Sequence, residues 1–291
     1  AEKAWAGAAA FELPYETEPG ENIPARVKTE AYLMYSASHL YVAFRCYDDD
    51  PEAIRARYCD RDSLGNNDKV AIEIDTFNDE RTAFIFEANP FGIQSDYSYG
   101  PEGFNQAWDG IFESAGQITE WGYCVEMAIP FSTLRFQRTA GPQVWGLLLF
   151  RAHPREVYRD IRSVPIDRNR DCFVCQFEKI EGFEGATPGK NLELTPTITA
   201  LRTQARPAFT DIDYETQDED AELGLTAKWG MTNNLTLGGT FNPDFSQVEA
   251  DALKLDINEP FALSYEEKRP FFTEGADFFS TPLSTVYTRT L

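Results

Sequence analysis

The sequence predicts an all-β chain: a β-sandwich over residues 1–185, then, over 186–291, the first strands of a second β domain. Three observations carry this. Aromatic residues make up 14% of the chain, with 22 Phe and 13 Tyr, and they mix with Val, Ile and Thr in short runs. Strands and turn signals recur at a spacing of roughly ten residues, as in sandwiches and barrels. No helical pattern exceeds about two turns, and no apolar run approaches the ~18 residues of a membrane helix.

Taken in order, residues 29–48 (TEAYLMYSASHLYVAFRCYD) read as two strands around a polar turn, apolar on both faces as in mid-sandwich. DPEAIRARY follows. Asp50 can cap there, and Pro51 suits the first position of one or two helical turns. Residues 68–77 alternate Val70, Ile72 and Ile74 against Ala71, Glu73 and Asp75, and the chain returns after Asn78-Asp79 to Pro90 as a hairpin. FGIQSDYSYG adds an edge. Residues 117–131 form a turn and a strand with Tyr123, Val125, Met127 and Ile129 on one parity, and STLRF adds a helical turn. VWGLLLFRAHP (144–154) is a continuous apolar run, a strand buried on both faces.

Gly and Pro cluster at 181–191, where the domain boundary falls. Beyond it LELTPTITALRT is a strand, and QARPAFTDIDYETQDEDA reads as an acidic loop. ELGLTAKWG, MTNN and LTLGGTF then make a hairpin. One face carries Leu223, Leu225, Ala227, Trp229, Leu235, Leu237 and Phe241; the other is small and polar. That pattern serves a soluble sheet or a tilted transmembrane strand of about 9–11 residues.

Charge narrows the function. With 48 acidic against 26 basic residues the net charge is −22, which repels nucleic acid and anionic lipid, so no nucleic-acid partner is expected. The acidic excess favours a cation, Ca²⁺ being the one expected, or is simply a solubility device. In DRDSLGNND, Asp60, Asp62 and Gly65 fit the first, third and sixth positions of a Ca²⁺ loop, but Leu64 and Ala71 spoil the fifth and the last. The segment is no EF-hand; a carboxylate site using Asp60, Asp62, Asn67 and Asp68 stays open beside a plain solvated loop.

The chain opens at AEKAWAGAAAF, without a signal-peptide pattern, and reads as a mature or trimmed form. Five cysteines leave an odd thiol. The C-x-x-C of DCFVC lacks the second pair of a zinc site and the following His of a haem site, which leaves a local disulfide or buried thiols.

Sugar binding needs an aromatic platform and a few hydrogen-bonding groups. Residues 95–110 (SDYSYGPEGFNQAWDG) supply Tyr97, Tyr99, Phe104 and Trp108 with Asp109 among them, in a stretch that reads as a loop. The competing reading packs Trp108 into the core. No catalytic signature is present: His39 and His153 stand far apart, and G-x-S-x-G, H-E-x-x-H and the P-loop are all missing.

Several blocks, TEAYLMYSASHLYVAFRCYDDDPEAIRARYCDRD, VAIEIDTFNDERTAFIFEANPFGIQSD, WGYCVEMAIPFSTLRF, NLELTPTITA, GLTAKWGMTNNLTLGGTFNPDFSQVEAD and EKRPFFTEGADFF, together resemble a bacterial exported family. Its members begin with a DOMON-like sandwich similar to family 9 carbohydrate-binding modules. They continue into an outer-membrane-type β-barrel of uncharacterised function. The resemblance implies an outer-membrane, periplasmic or cell-surface location in a Gram-negative bacterium, lipid contact through the second domain, and a chain that is a fragment of a longer protein. It implies non-catalytic glycan binding at the envelope, with docking of an envelope protein and association with glycan hydrolysis as alternatives. Met34 and Met127 read as core residues, so no haem is expected.

Overall fold

The computed structural model describes residues 3–100, 103–106, 108–137, 141–187, 192–205, 214–232 and 235–242. The chain divides into two units, Ala1–Gly189 and Lys190–Leu291. In the first unit the strands are β1 (Ala9–Glu12), β2 (Tyr15–Glu18), β3 (Ile23–Pro24), β4 (Thr29–Tyr35), β5 (His39–Tyr47), β6 (Lys69–Asp75) and β7 (Ala83–Ala88). They continue with β8 (Gln94–Gly100), β9 (Gly103–Asn105), β10 (Glu113–Thr119), β11 (Gly122–Pro130), β12 (Gln143–Pro154), β13 (Tyr158–Arg162) and β14 (Glu178–Gly182). A five-stranded sheet runs β1-β4-β5-β11-β10. A nine-stranded sheet runs β3-β2-β13-β12-β6-β7-β8-β9, with β14 also paired to β12.

The two sheets close on one apolar core. Leu33, Val42, Phe44, Val125 and Ile129 come from the smaller sheet; Ile72, Ile74, Phe86, Trp145 and Leu149 come from the larger. Trp145 is fully buried and stacks on Phe183 at 3.9 Å. As the unbroken apolar run requires, β12 is buried along both faces and lies inside the sheet, between β6 and β13 with β14.

A charged network is buried between the sheets. Arg151 on β12 donates to Thr29 Oγ1 (3.0 Å), the Tyr47 carbonyl (2.9 Å) and Asp48 Oδ2 (3.2 Å). Arg155 joins through Asp48 (2.6 Å) and Asp68 (2.7 Å), and His153 Nε2 lies 3.2 Å from Asp48. Burial works to raise the Asp48 carboxyl, but hydrogen bonds from His153 and the Asp50 N–H, with Arg155, hold it well below the usual range.

The turns follow from side chains that accept backbone N–H groups. Asp75 accepts from Asp79 and Glu80, and Asp79 accepts from Arg81 and Thr82, which closes the β6–β7 turn. Asn89 accepts from Phe91 and Ile93 before β8. Three expectations are corrected here. The segment after Asp50 holds only a 3-10 turn, Pro51–Ala53, and Asp50 gives no side-chain cap. STLRF is a non-helical turn that buries Leu134 and Phe136. Residues 94–100 are an internal strand, because β9 pairs beyond them.

The second unit contains β15 (Leu192–Ala205), β16 (Glu215–Thr232) and β17 (Leu235–Phe241), an open three-stranded antiparallel sheet among the described residues. No closed barrel is present among them. The sequence expectation of an acidic loop over 204–221 is overturned where β16 begins at Glu215, because the strands pair far beyond the apolar stripe. Register sets Leu192 opposite Trp229, Ile198 opposite Leu223, and Trp229 opposite Leu237, so the apolar residues share one face. That face is open: Leu223 is 68% and Trp229 45% exposed. Asn233-Asn234 of the hairpin turn, and the blocks from Pro243 onward, lie outside the described residues.

Candidate functional site

The pleat of the nine-stranded sheet separates two populations. Along β6, Val70, Ile72 and Ile74 enter the inter-sheet core, while Lys69, Ala71 and Glu73 fall on the outer face. Neighbouring strands extend that outer face: Glu87 stands opposite Ala71, Tyr97 opposite Ile85, Tyr99 opposite Ala83, and Phe104 opposite Tyr99. The segment 163–177 packs over part of it through Val164, Ile166, Phe173, Val174 and Phe177. Cys172 and Cys175 form a disulfide within that segment, next to Phe173.

A cavity of ≈ 320 Å³ opens over the outer face. It is lined by Asp62, Leu64 and Gly65 from the β5–β6 loop, Lys69, Glu87, Ser95, Asp96 and Tyr97 from three strands, and Phe104 and Gln106 from β9 and its exit. Lys69 Nζ sits 2.7 Å from Glu87, and the Tyr97 hydroxyl donates to Glu87 at 2.9 Å. Burial, reinforced by Glu87, raises the Tyr97 hydroxyl far above the usual tyrosine range, so it stays a donor. Phe104, 58% exposed, forms an edge-to-face wall with Tyr97 at 5.5 Å and Tyr99 at 5.0 Å, and Phe173 supports Tyr99 at 5.6 Å.

At one end stand three carboxylates. Oxygens of Asp62, Asp96 and Asp109 lie within 4.8 Å of one another. Asp96 is buried, accepts from Arg61 and from the Gly110 N–H, and is pushed up to about 6, chiefly by burial. Asp62 accepts the Asp96 N–H at 3.0 Å. The group has the oxygen donors a hard cation takes, with Arg61 already supplying positive charge to Asp96.

The structure thus brings Tyr97, Tyr99 and Phe104 to one wall and Asp109 to the carboxylate end. Trp108 goes elsewhere. Its indole packs on Phe84 at 5.1 Å and Phe86 at 5.6 Å at the margin of the core, and a Cβ at Gly110 would come within 2.6 Å of the ring. Asp60, Asp62, Asn67 and Asp68 do not converge. Asn67 accepts the Arg57 N–H and donates to the Leu64 carbonyl. Asp68 accepts from the Arg55 N–H at 2.8 Å and from Arg155, so its charge serves the inter-sheet network. Asp60 is exposed. Sequence reasoning missed Lys69, Glu87 and Ser95. Part of the signal was there: Lys69 and Glu73 on β6 and Glu87 on the paired β7 are charged residues at in-phase odd positions.

The comparisons follow this division. The model of the carbohydrate family 9 binding domain-like family matches residues 1–152, and a domain of unknown function (DUF5916) matches residues 188–290. No curated protein matches the chain. Among solved structures, one from Bacteroides uniformis ATCC 8492 is similar at 13% identity and a TM-score of 0.49, covering 60% of this chain and 87% of that one. A family 9 carbohydrate-binding module from Caldicellulosiruptor kristjanssonii in complex with cellotriose is similar at 16% identity and a TM-score of 0.46, covering 62% and 85%. The same module with glucose is similar at 15% and 0.46, covering 62% and 87%.

Proposed function

The chain belongs to the carbohydrate family 9 binding domain-like family, and we propose on that premise that its sandwich binds glycan, without catalysis, in the cleft on the outer face of the nine-stranded sheet. The observation that carries this is the composition of the cleft. An exposed aromatic edge at Phe104 stands beside a floor of directional groups, Lys69, Glu87, Ser95 and Gln106, around a cavity of ≈ 320 Å³. A sugar presents apolar C–H faces and hydroxyls together, and such a site meets both. The acidic surroundings favour neutral glycans over uronates or sulfated chains. Calorimetric titration with glucose, cellotriose, xylotriose and maltotriose tests it. Saturable binding of at least one sugar is expected, and a flat response to all four would sink the reading.

The location is part of the same proposal. An apolar face bearing Leu223, Leu225, Trp229 and Phe241, backed by a face with Thr226 and Thr240, supports a sheet that meets outer-membrane lipid and carries the sandwich at the cell envelope. Fractionation of the native cell should then place the protein with outer membranes; recovery in the soluble fraction alone would reverse this. Ca²⁺ remains the proposed cation, with Asp62 now grouped with Asp96 and Asp109.

A further inference from the structure

We propose that Glu73 is a ligand-binding group, and that with the Nε–H of Arg162 it forms a polar subsite on the outer face which takes a hydroxyl of the bound glycan. This rests on the glycan reading and extends its surface from β7 and β8 toward β13.

Glu73 is 6% exposed, and the β6 register places it opposite Leu148 on one side and Ile85 on the other, both apolar. A leucine would suit that position better. Among the described residues no hydrogen bond or ion pair reaches its carboxyl. Its charged neighbours hold one another: Lys69 pairs with Glu87, and Arg162 with Asp160 at 3.0 Å. Burial pushes the Glu73 carboxyl up to about 8, against the attraction of Arg162, so at neutral pH it both donates and accepts. Arg162 spends Nη1 on Thr17 and Nη2 on Asp160, while its Nε is buried with no partner. One donor-acceptor and one donor are therefore left open on the same face. A buried polar group without a partner destabilises the fold unless something supplies the partner. A hydroxyl, which donates and accepts at once, suits a carboxyl that does the same.

The test exploits opposite signs. Glu73→Leu and Glu73→Gln are compared with the parent chain by melting temperature and by titration with glucose, cellotriose, xylotriose and maltotriose. Both substitutions should raise the melting temperature. Affinity for the bound sugar should fall at least tenfold in Glu73→Leu and less in Glu73→Gln, which keeps a donor and an acceptor. A raised melting temperature with unchanged affinity would overturn the subsite and leave the glycan reading standing. A lowered melting temperature in both variants would make Glu73 a structural partner. If the parent chain binds none of the four sugars, the glycan reading falls and the subsite falls with it.

Discussion

The two faces of β6 are both largely buried, yet one carries only apolar side chains and the other carries charges. Inward, Val70, Ile72 and Ile74 pack into the inter-sheet core and bring no polar group of their own, although Arg151 stands opposite Val70. Outward, Lys69 and Glu73 share their face with Glu87, Tyr97 and Arg162, and part of that set has no partner. Exposure alone would class both as core. Unpartnered atoms occur on both sides, at Tyr123 and Arg151 between the sheets and at Arg162 outside, so the polar side chains of β6 itself are what set its outer face apart.

The comparison breaks most violently on the inward side. Trp145→Ala removes a fully buried indole stacked on Phe183 and should cost about 3–5 kcal/mol, read from the urea midpoint. A cost under about 1 kcal/mol would mean that the core is not where the structure puts it.

The outward side should answer to pH instead. Glu73 holds its proton up to about pH 8 in the folded chain, against an ordinary 4.5 when unfolded. The folded state is thus the better proton binder between those values, and its stability falls as pH rises through that window. Glu73→Gln should remove this slope, a difference on the order of 5 kcal/mol between pH 4 and pH 9. Parallel pH profiles for the two proteins would show that the carboxyl is solvated or paired after all.

The smallest effects sharpen the contrast at the cleft rim. Phe104→Ala should leave stability within about 0.5 kcal/mol, since the ring is mostly exposed, but weaken sugar binding by about 1 kcal/mol. Trp108→Ala should do the reverse, costing about 2 kcal/mol of stability with affinity intact. If Trp108 proves the binder and Phe104 the silent residue, the assignment of the two aromatics is wrong.

How much of this could be read from the chain alone differs by scale. The hairpin β6–β7, the run that becomes β12 and the paired strands β4–β5 follow from alternation and turn chemistry. Tyr97 and Phe104 could be grouped from the sequence because aromatic and polar residues interleave there, and the structure sets the two rings edge to face. Trp108 was not placed, because nothing local tells an indole from a platform until Phe84 and Phe86, 24 and 22 residues upstream, arrive beside it. The carboxylate grouping failed for the same reason. Asp68 looks like a free ligand beside Asn67, but its partner Arg155 is 87 residues away. Lys69 and Glu87 were not singled out, since the β5–β6 loop and β9, which wall the cavity around them, are not local to either residue.

Arg151 carries a consequence for the order of events during folding. Its acceptors Thr29, Tyr47 and Asp48 lie 122, 104 and 103 residues earlier in the chain. A guanidinium cannot leave water before those oxygens are assembled around it. The half-sandwich that emerges first from the ribosome must therefore wait, open at its centre, until β12 is delivered. Sheet closure becomes a late, long-range commitment, of the kind that makes such topologies slow to acquire.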